Sequence, residues 1–311
     1  MGSAIVSRVP KPGGPSAQLP LILSALRARA ATRKTLSVEE SRAALEGLSR
    51  VCPVAADIGV RPVSAAGVPA EWLEPPGGDG GAVLFFLHGG AYVIGSLSTH
   101  RDLASRLARA AGGRAFSVGY RLAPEHRFPA ALDDALTAYR WLLDSGTPPS
   151  RLAVVGDSAG GGLGLAIVLE ARRLEWPLPA ALVCLSPSVD LAGTGESFVT
   201  NADSDPVIQL PFLHATAAHY LGEHDRFDPR ASPLYGELAG LPPLLIQAGS
   251  TETLLDDACR LAERARAVGV EVDLQVWNGL FHGWQLYARI LPEGREAIER
   301  VGEWLRGRLG P

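Results

Sequence analysis

The stretch Gly156-Asp157-Ser158-Ala159-Gly160 constrains the fold more than any other, because of what stands on either side of it. The apolar run Leu152-Ala153-Val154-Val155 precedes it, and a small-residue helical pattern follows from Gly161 through Leu163, Leu165, Ile167 and Leu169. Strand, glycine-pinched serine, helix is the order of a sharp turn that lifts a serine hydroxyl clear of a sheet, beside a helix N-terminus. Such a turn leaves no room for side chains two residues away on either side, hence Gly156 and Gly160. A bare G-x-S-x-G recurs by chance in loops, so the reading depends on further segments of the chain.

The first is His88-Gly89-Gly90-Ala91-Tyr92, directly after the buried-strand run Val83-Leu84-Phe85-Phe86-Leu87. Paired glycines let backbone N–H groups approach an oxygen on which negative charge develops. Alone, the segment reads equally well as an ordinary turn. The second is Phe281-His282-Gly283, in a loop from Gly279 to Gly283 after the strand-like run from Val270 to Trp277. A lone histidine is more often structural, but this one can reach back across the carboxyl end of a sheet. An acid should lie between the serine and the histidine. The apolar strand Leu244-Leu245-Ile246-Gln247-Ala248 runs into Gly249-Ser250-Thr251-Glu252, and a helix opens with Leu254, Leu255, Asp256 and Asp257. Glu252 stands just past the strand and is the first choice; Asp256 is second and Asp257 third, since a turn into the helix they read as N-terminal helix charges. Its role would be to fix the imidazole tautomer and stabilise the imidazolium. Asp157 reads as a loop brace, and Asp133 and Asp134 as structural.

With Tyr120-Arg121-Leu122-Ala123-Pro124-Glu125-His126, these segments resemble the hormone-sensitive-lipase-like α/β-hydrolase carboxylesterases, bacterial family IV. The likeness runs from about residue 80 to the end. It implies an α/β-hydrolase fold: a mostly parallel central sheet flanked by helices, with a helical cap. It also implies that the Tyr-Arg-Leu-Ala-Pro-Glu block braces the loops beneath the site. Two departures stand out. The family's third oxyanion glycine is Ala91 here, which keeps its N–H, and the family's Asp-Pro is Glu252-Thr253.

Composition agrees. The 311 residues suit one α/β domain, and an apolar fraction of 47% is ample for a buried parallel sheet. A net charge of −4 provides no basic field, so nucleic acid is not an expected partner. The only lysines are Lys11 and Lys34, which reads as coding bias. Cys52, Cys184 and Cys259 are far apart, odd in number and in no metal spacing, which suits reduced thiols in the cytoplasm. No run reaches the roughly 18 apolar residues of a membrane helix. The Leu19-to-Leu26 run, leading into Arg27 and Arg29, is not a convincing signal peptide.

Residues 1–50 read as helices, the second opened by a Ser37/Glu40 capping box. Ile58-Gly59-Val60 and Val68 to Leu73 suggest an antiparallel edge. Strand and helix then alternate at 82–87, 99–111, 115–119, 129–143, 152–156, 158–174 and 180–186, the rhythm of a parallel sheet with its site at the strands' carboxyl ends. From 190 to 235 the rhythm breaks, with one helical piece from Pro211 to Leu221. The expectation is a cap built from 1–50 and 190–235 over a core of 51–189 and 236–311. Expected pocket residues are Tyr92, Phe198, Val207, Phe212, Leu213, Leu254 and Trp284, individually core-packing types but together suited to an apolar, uncharged substrate. His214, His219 and His224 put no adjacent pair on one helix face, so a metal there is not expected. A homodimer could form if the 270–276 strand is a sheet edge.

The chemistry expected is ester hydrolysis through an acyl-enzyme, with Ser158 as nucleophile, His282 as base and Glu252 as its partner, and no cofactor or metal. Gly90 and Ala159 would hold the oxyanion, assisted by Gly89 or Ala91. An amidase, formamidase or lactone hydrolase would use the same triad. A non-catalytic small-ligand receptor on this fold typically loses the serine or the histidine, and this chain keeps both.

Overall fold

The computed structural model describes residues 6–9, 14–33, 36–78 and 81–310; side chains are described outside 6–9 and 31–35. Lys11 and Lys34 therefore lie outside the described residues. The strands are β1 (Val6–Val9), β2 (Gly59–Ala65), β3 (Val68–Glu74), β4 (Val83–Leu87), β5 (Arg114–Val118), β6 (Leu152–Asp157), β7 (Ala181–Leu185), β8 (Leu244–Gly249) and β9 (Val272–Trp277). The helices are α1 (Gln18–Arg33), α2 (Val38–Glu46), α3 (Leu48–Val51), α4 (Leu97–Ala110), α5 (Ala130–Asp144), α6 (Ala159–Arg173), α7 (Ser197–Thr200), α8 (Leu210–Leu221), α9 (Leu255–Ala267) and α10 (Pro292–Arg306).

The strands form one sheet in the order β1-β9-β8-β7-β6-β4-β5-β3-β2. Every neighbour from β1 to β5 is parallel, and β3 pairs antiparallel with both β5 and β2. The antiparallel edge is where the sequence placed it. The central strands read as unbroken apolar runs because both their faces are buried. In β4, Val83, Phe85 and Leu87 enter the core under α5, α6 and α9. Leu84 and Phe86 enter the opposite core, under α4 and α10. A third cluster joins Leu19 and Ile22 of α1 to Trp277, Leu280, Phe281 and Trp284. The Ser37/Glu40 capping box forms, with Glu40 N–H donated to Ser37 Oγ and Ser37 N–H donated to Glu40.

Two expectations are corrected. The first fifty residues are not all helical, since β1 pairs with β9 from Val6–Leu274 to Val9–Trp277. For the same reason the 270–276 strand is not the sheet edge through which a dimer was expected: this chain's own residues 6–9 occupy that side. Polar, proline-containing flanks hide a four-residue strand from any periodicity argument. No helix among the described residues is long and apolar enough to cross a membrane.

Candidate active site

Ser158 sits between β6 and α6 with φ 52° and ψ −123°, a backbone conformation that costs a non-glycine residue roughly 1–3 kcal/mol. The turn is held from all sides. Ser158 N–H donates to Leu185 O at 2.8 Å, and its carbonyl accepts Gly161 and Ser188 N–H, each at 3.0 Å. The flanking glycines are required by space: a Cβ on Gly156 would stand 2.2 Å from Gly160 O, and one on Gly160 2.0 Å from Leu87 O.

His282 arrives on the loop after β9, which Gly283 turns with φ 71°. Ser158 Oγ lies 2.9 Å from His282 Nε2, and His282 Nδ1 lies 3.1 Å from Glu252 Oε2. Glu252 is wholly buried. Its Oε1 accepts Ser186 Oγ at 2.8 Å and Gly249 N–H at 2.5 Å, so the carboxylate is oriented by groups of β8 and the β7 loop. Burial pushes the His282 imidazole toward neutrality. The hydrogen bond and charge of Glu252, with the charges of Asp205 and Asp157, outweigh it and raise its pKa above 6.5. Asp256 instead accepts Ser197 N–H, and Asp257 accepts Val189 and Asp190 N–H; neither hydrogen-bonds the histidine.

The loop after β4 carries three consecutive positive φ values, at Gly90 (121°), Ala91 (55°) and Tyr92 (63°). A Cβ on Gly90 would lie 2.0 Å from Ile94 O, so this position admits only glycine. The N–H groups of Gly90, Ala91 and Ala159 meet no acceptor among the described residues. Gly89 must be removed from the expected donor set, because its N–H is donated to Asp157 Oδ1 at 3.0 Å. Asp157 is thus a brace. Burial pushes its carboxyl up, but His100, 3.2 Å away, helps hold it below the usual value. From beneath, Tyr120 donates its hydroxyl to His88 O at 2.6 Å and stacks on that ring, while Arg121 pairs with Asp134. Glu125 takes both terminal nitrogens of Arg42 at 2.7 Å, tying α2 to the core.

A cavity of about 130 Å³ opens over Ser158. It is lined by Leu26, Leu36, Ala44, Leu45 and Leu48 from the first fifty residues, by Pro206, Val207, Ile208 and Phe212, and by His282, Leu286 and Tyr287. Of the expected lining residues, only Val207 and Phe212 are there. Tyr92 stacks on Tyr220 at 4.0 Å, and Trp284 packs on Trp277 in the third cluster. Phe198, Leu213 and Leu254 are buried in the main core. Each is apolar, but its side chain points into packing rather than space. The α1–α3 contribution escaped residue-level reading, although the amphipathic spacing of Leu45 and Leu48 around the capping-box helix was a usable signal. His224 pairs with Asp228 at 2.6 Å, and His214 Nε2 is 3.4 Å from Ala192 O.

A serine, a histidine and a buried carboxylate in hydrogen-bonded series at the carboxyl ends of a parallel sheet define the class, an α/β-hydrolase. Residues 84–286 match the family model described as alpha/beta hydrolase fold. An acetyl-hydrolase of Streptomyces hygroscopicus is 45% identical over 82% of this chain and 86% of its own length. An ethyl acetate hydrolase of Pseudomonas putida is 36% identical over 95% of each chain. The crystal structure of an esterase from the bacterial hormone-sensitive lipase family superposes with a TM-score of 0.92 at 49% identity, covering 96% of this chain and 100% of that one. The chain belongs to the hormone-sensitive-lipase-like, family IV carboxylesterases of the α/β-hydrolase superfamily.

Proposed function

We propose that this enzyme hydrolyses short- to medium-chain, uncharged carboxylic esters through an acyl-enzyme on Ser158. The single observation carrying the reading is the Ser158–His282–Glu252 series opening into a mostly apolar cavity, which Arg29 and Ser41 also line. His282 takes the hydroxyl proton as Ser158 Oγ attacks the ester carbonyl, and Glu252 holds the tautomer with Nδ1 protonated. The N–H groups of Gly90, Ala91 and Ala159 receive the oxyanion. His282 then returns the proton to the departing alcohol, and water repeats the attack with His282 as base. Nothing in this sequence calls for a cofactor.

We read residues 1–50 and 190–235 as a cap over a core of 51–189 and 236–311, because both cap segments supply walls of the cavity. A cavity this small, and relatives named for acetyl and ethyl acetate hydrolysis, favour the short end of the acyl range. The free thiols of Cys52, Cys184 and Cys259 suit a reducing compartment, the cytoplasm.

The test is initial rate on p-nitrophenyl esters from acetyl to dodecanoyl, with Ser158→Ala alongside. A maximum at short or medium chains that disappears in the variant is expected. A wild type silent on every ester, or an active variant, would overturn the reading, and silence would move the search to amides and lactones.

A further inference from the structure

The segment from 197 to 208 does more than wall the cavity. It hydrogen-bonds every carbonyl of the turn that carries Glu252. Asn201 Nδ2 donates to Ser250 O at 3.3 Å and Glu252 O at 2.7 Å, Ser204 Oγ to Thr251 O at 3.0 Å, and Ser197 Oγ to Thr253 O at 2.5 Å. Asp205, 3% exposed, joins the two structures through one carboxylate. Its Oδ1 accepts Val207 N–H at 2.7 Å and Ile208 N–H at 3.0 Å, both cavity residues. Its Oδ2 accepts Thr253 N–H at 2.8 Å and Thr253 Oγ1 at 3.2 Å. A proline at 253 would have no N–H to offer, so the Glu252-Thr253 pair is what makes this clamp possible.

We propose that Asp205 is a positioning residue, which locks the cavity wall at 207–208 to the turn carrying Glu252 and so fixes the carboxylate against His282. The inference rests on the triad reading above. The coupling follows from geometry: the wall cannot shift without pulling Thr253, the residue next to Glu252. A small displacement of a catalytic group costs up to about 10²-fold in rate. The charge of Asp205 also acts on His282. The charged groups facing that imidazole are Glu252 from the β8 turn, Asp157 from the end of β6, and Asp205 from the 190–235 segment. Removing one negative charge makes the imidazolium easier to deprotonate.

The test compares Asp205→Asn with Asn201→Ala, reading kcat, KM, thermal unfolding and the pH dependence of kcat/KM. Asp205→Asn should lose about 10–100-fold in kcat. Its acid limb should move to lower pH. Asn201→Ala, which loosens the same turn without removing charge, should lower kcat and leave the limb in place. Wild-type kcat in Asp205→Asn, or a loss with an unmoved limb, would overturn the assignment. Should Asp205→Asn fail to fold, unchanged kcat in Asn201→Ala would overturn it equally. Ser158→Ala separates the two readings: if it is inactive while both clamp variants are normal, the triad stands and only this proposal falls.

Discussion

Replacing Glu252 by Gln tests the triad with a change of one atom. The carboxylate accepts from three donors: Ser186 Oγ and the Gly249 N–H at Oε1, and His282 Nδ1–H at Oε2. A glutamine has one accepting oxygen and one donating NH₂. The Gly249 N–H is fixed by the backbone at 2.5 Å, so the amide oxygen must remain at the Oε1 position and the NH₂ must face His282. A donor there forces the imidazole to carry its proton on Nε2, the nitrogen 2.9 Å from Ser158 Oγ. That nitrogen can then no longer take the serine proton. Locking a triad histidine in the wrong tautomer costs about 10⁴-fold in kcat, or about 5.4 kcal/mol of transition-state stabilisation. KM should hold, since Glu252 touches no substrate. Asp256→Asn, at a carboxylate that accepts Ser197 N–H, should lose less than about threefold. The assay is kcat and KM on p-nitrophenyl butyrate, with melting curves to show that both variants fold. A loss under tenfold in Glu252→Gln, or an equal loss in Asp256→Asn, would refute the reasoning.

Two further outcomes follow from buried charges. Activity needs neutral His282, whose pKa is raised above 6.5 by Glu252 and the charges behind it despite burial. The acid limb of kcat/KM should therefore lie above pH 6.5, and a limb below it would contradict the electrostatics. Asp257 is fully buried, its Oδ1 meets no hydrogen-bond partner among the described residues, and burial pushes its carboxyl up to about 8. An unfolded aspartate ionises near pH 4, so between about pH 4 and 8 the folded state binds more protons and its stability falls as pH rises. Asp257→Asn should remove this slope, so its melting temperature relative to wild type should increase from pH 5 to pH 8; a flat or reversed difference would contradict it.

Much of the fold was legible because a two-sided buried sheet leaves unbroken apolar runs such as 83–87 and 152–155, separated by helical spacing. The serine and histidine that meet at 2.9 Å were legible for a local reason. Ser158 needs glycines two residues to each side, and His282 sits in a glycine-bounded loop. Glu252 was readable as the carboxylate that meets His282 because a loop position just past a strand differs from one inside a helix, where Asp256 and Asp257 fall. What escaped was non-local. Gly89 looks identical to Gly90 in sequence, and only the approach of Asp157 from β6 occupies its N–H. Tyr92 and Trp284 could not be told from Val207 and Phe212, because whether an apolar side chain fills core or lines space depends on distant partners such as Tyr220 and Trp277. Asp205 carried no signal at all, since its four donors are backbone and hydroxyl groups brought together by folding.

The most direct test of the central claim is to quench the enzyme during turnover of p-nitrophenyl butyrate and map the adduct by peptide mass spectrometry. A single butyryl group on Ser158, absent in Ser158→Ala and accompanied by a p-nitrophenol burst no larger than the enzyme concentration, is the predicted result. Steady turnover with no adduct under acidic quench, or an adduct on another residue, would contradict an acyl-enzyme at this serine.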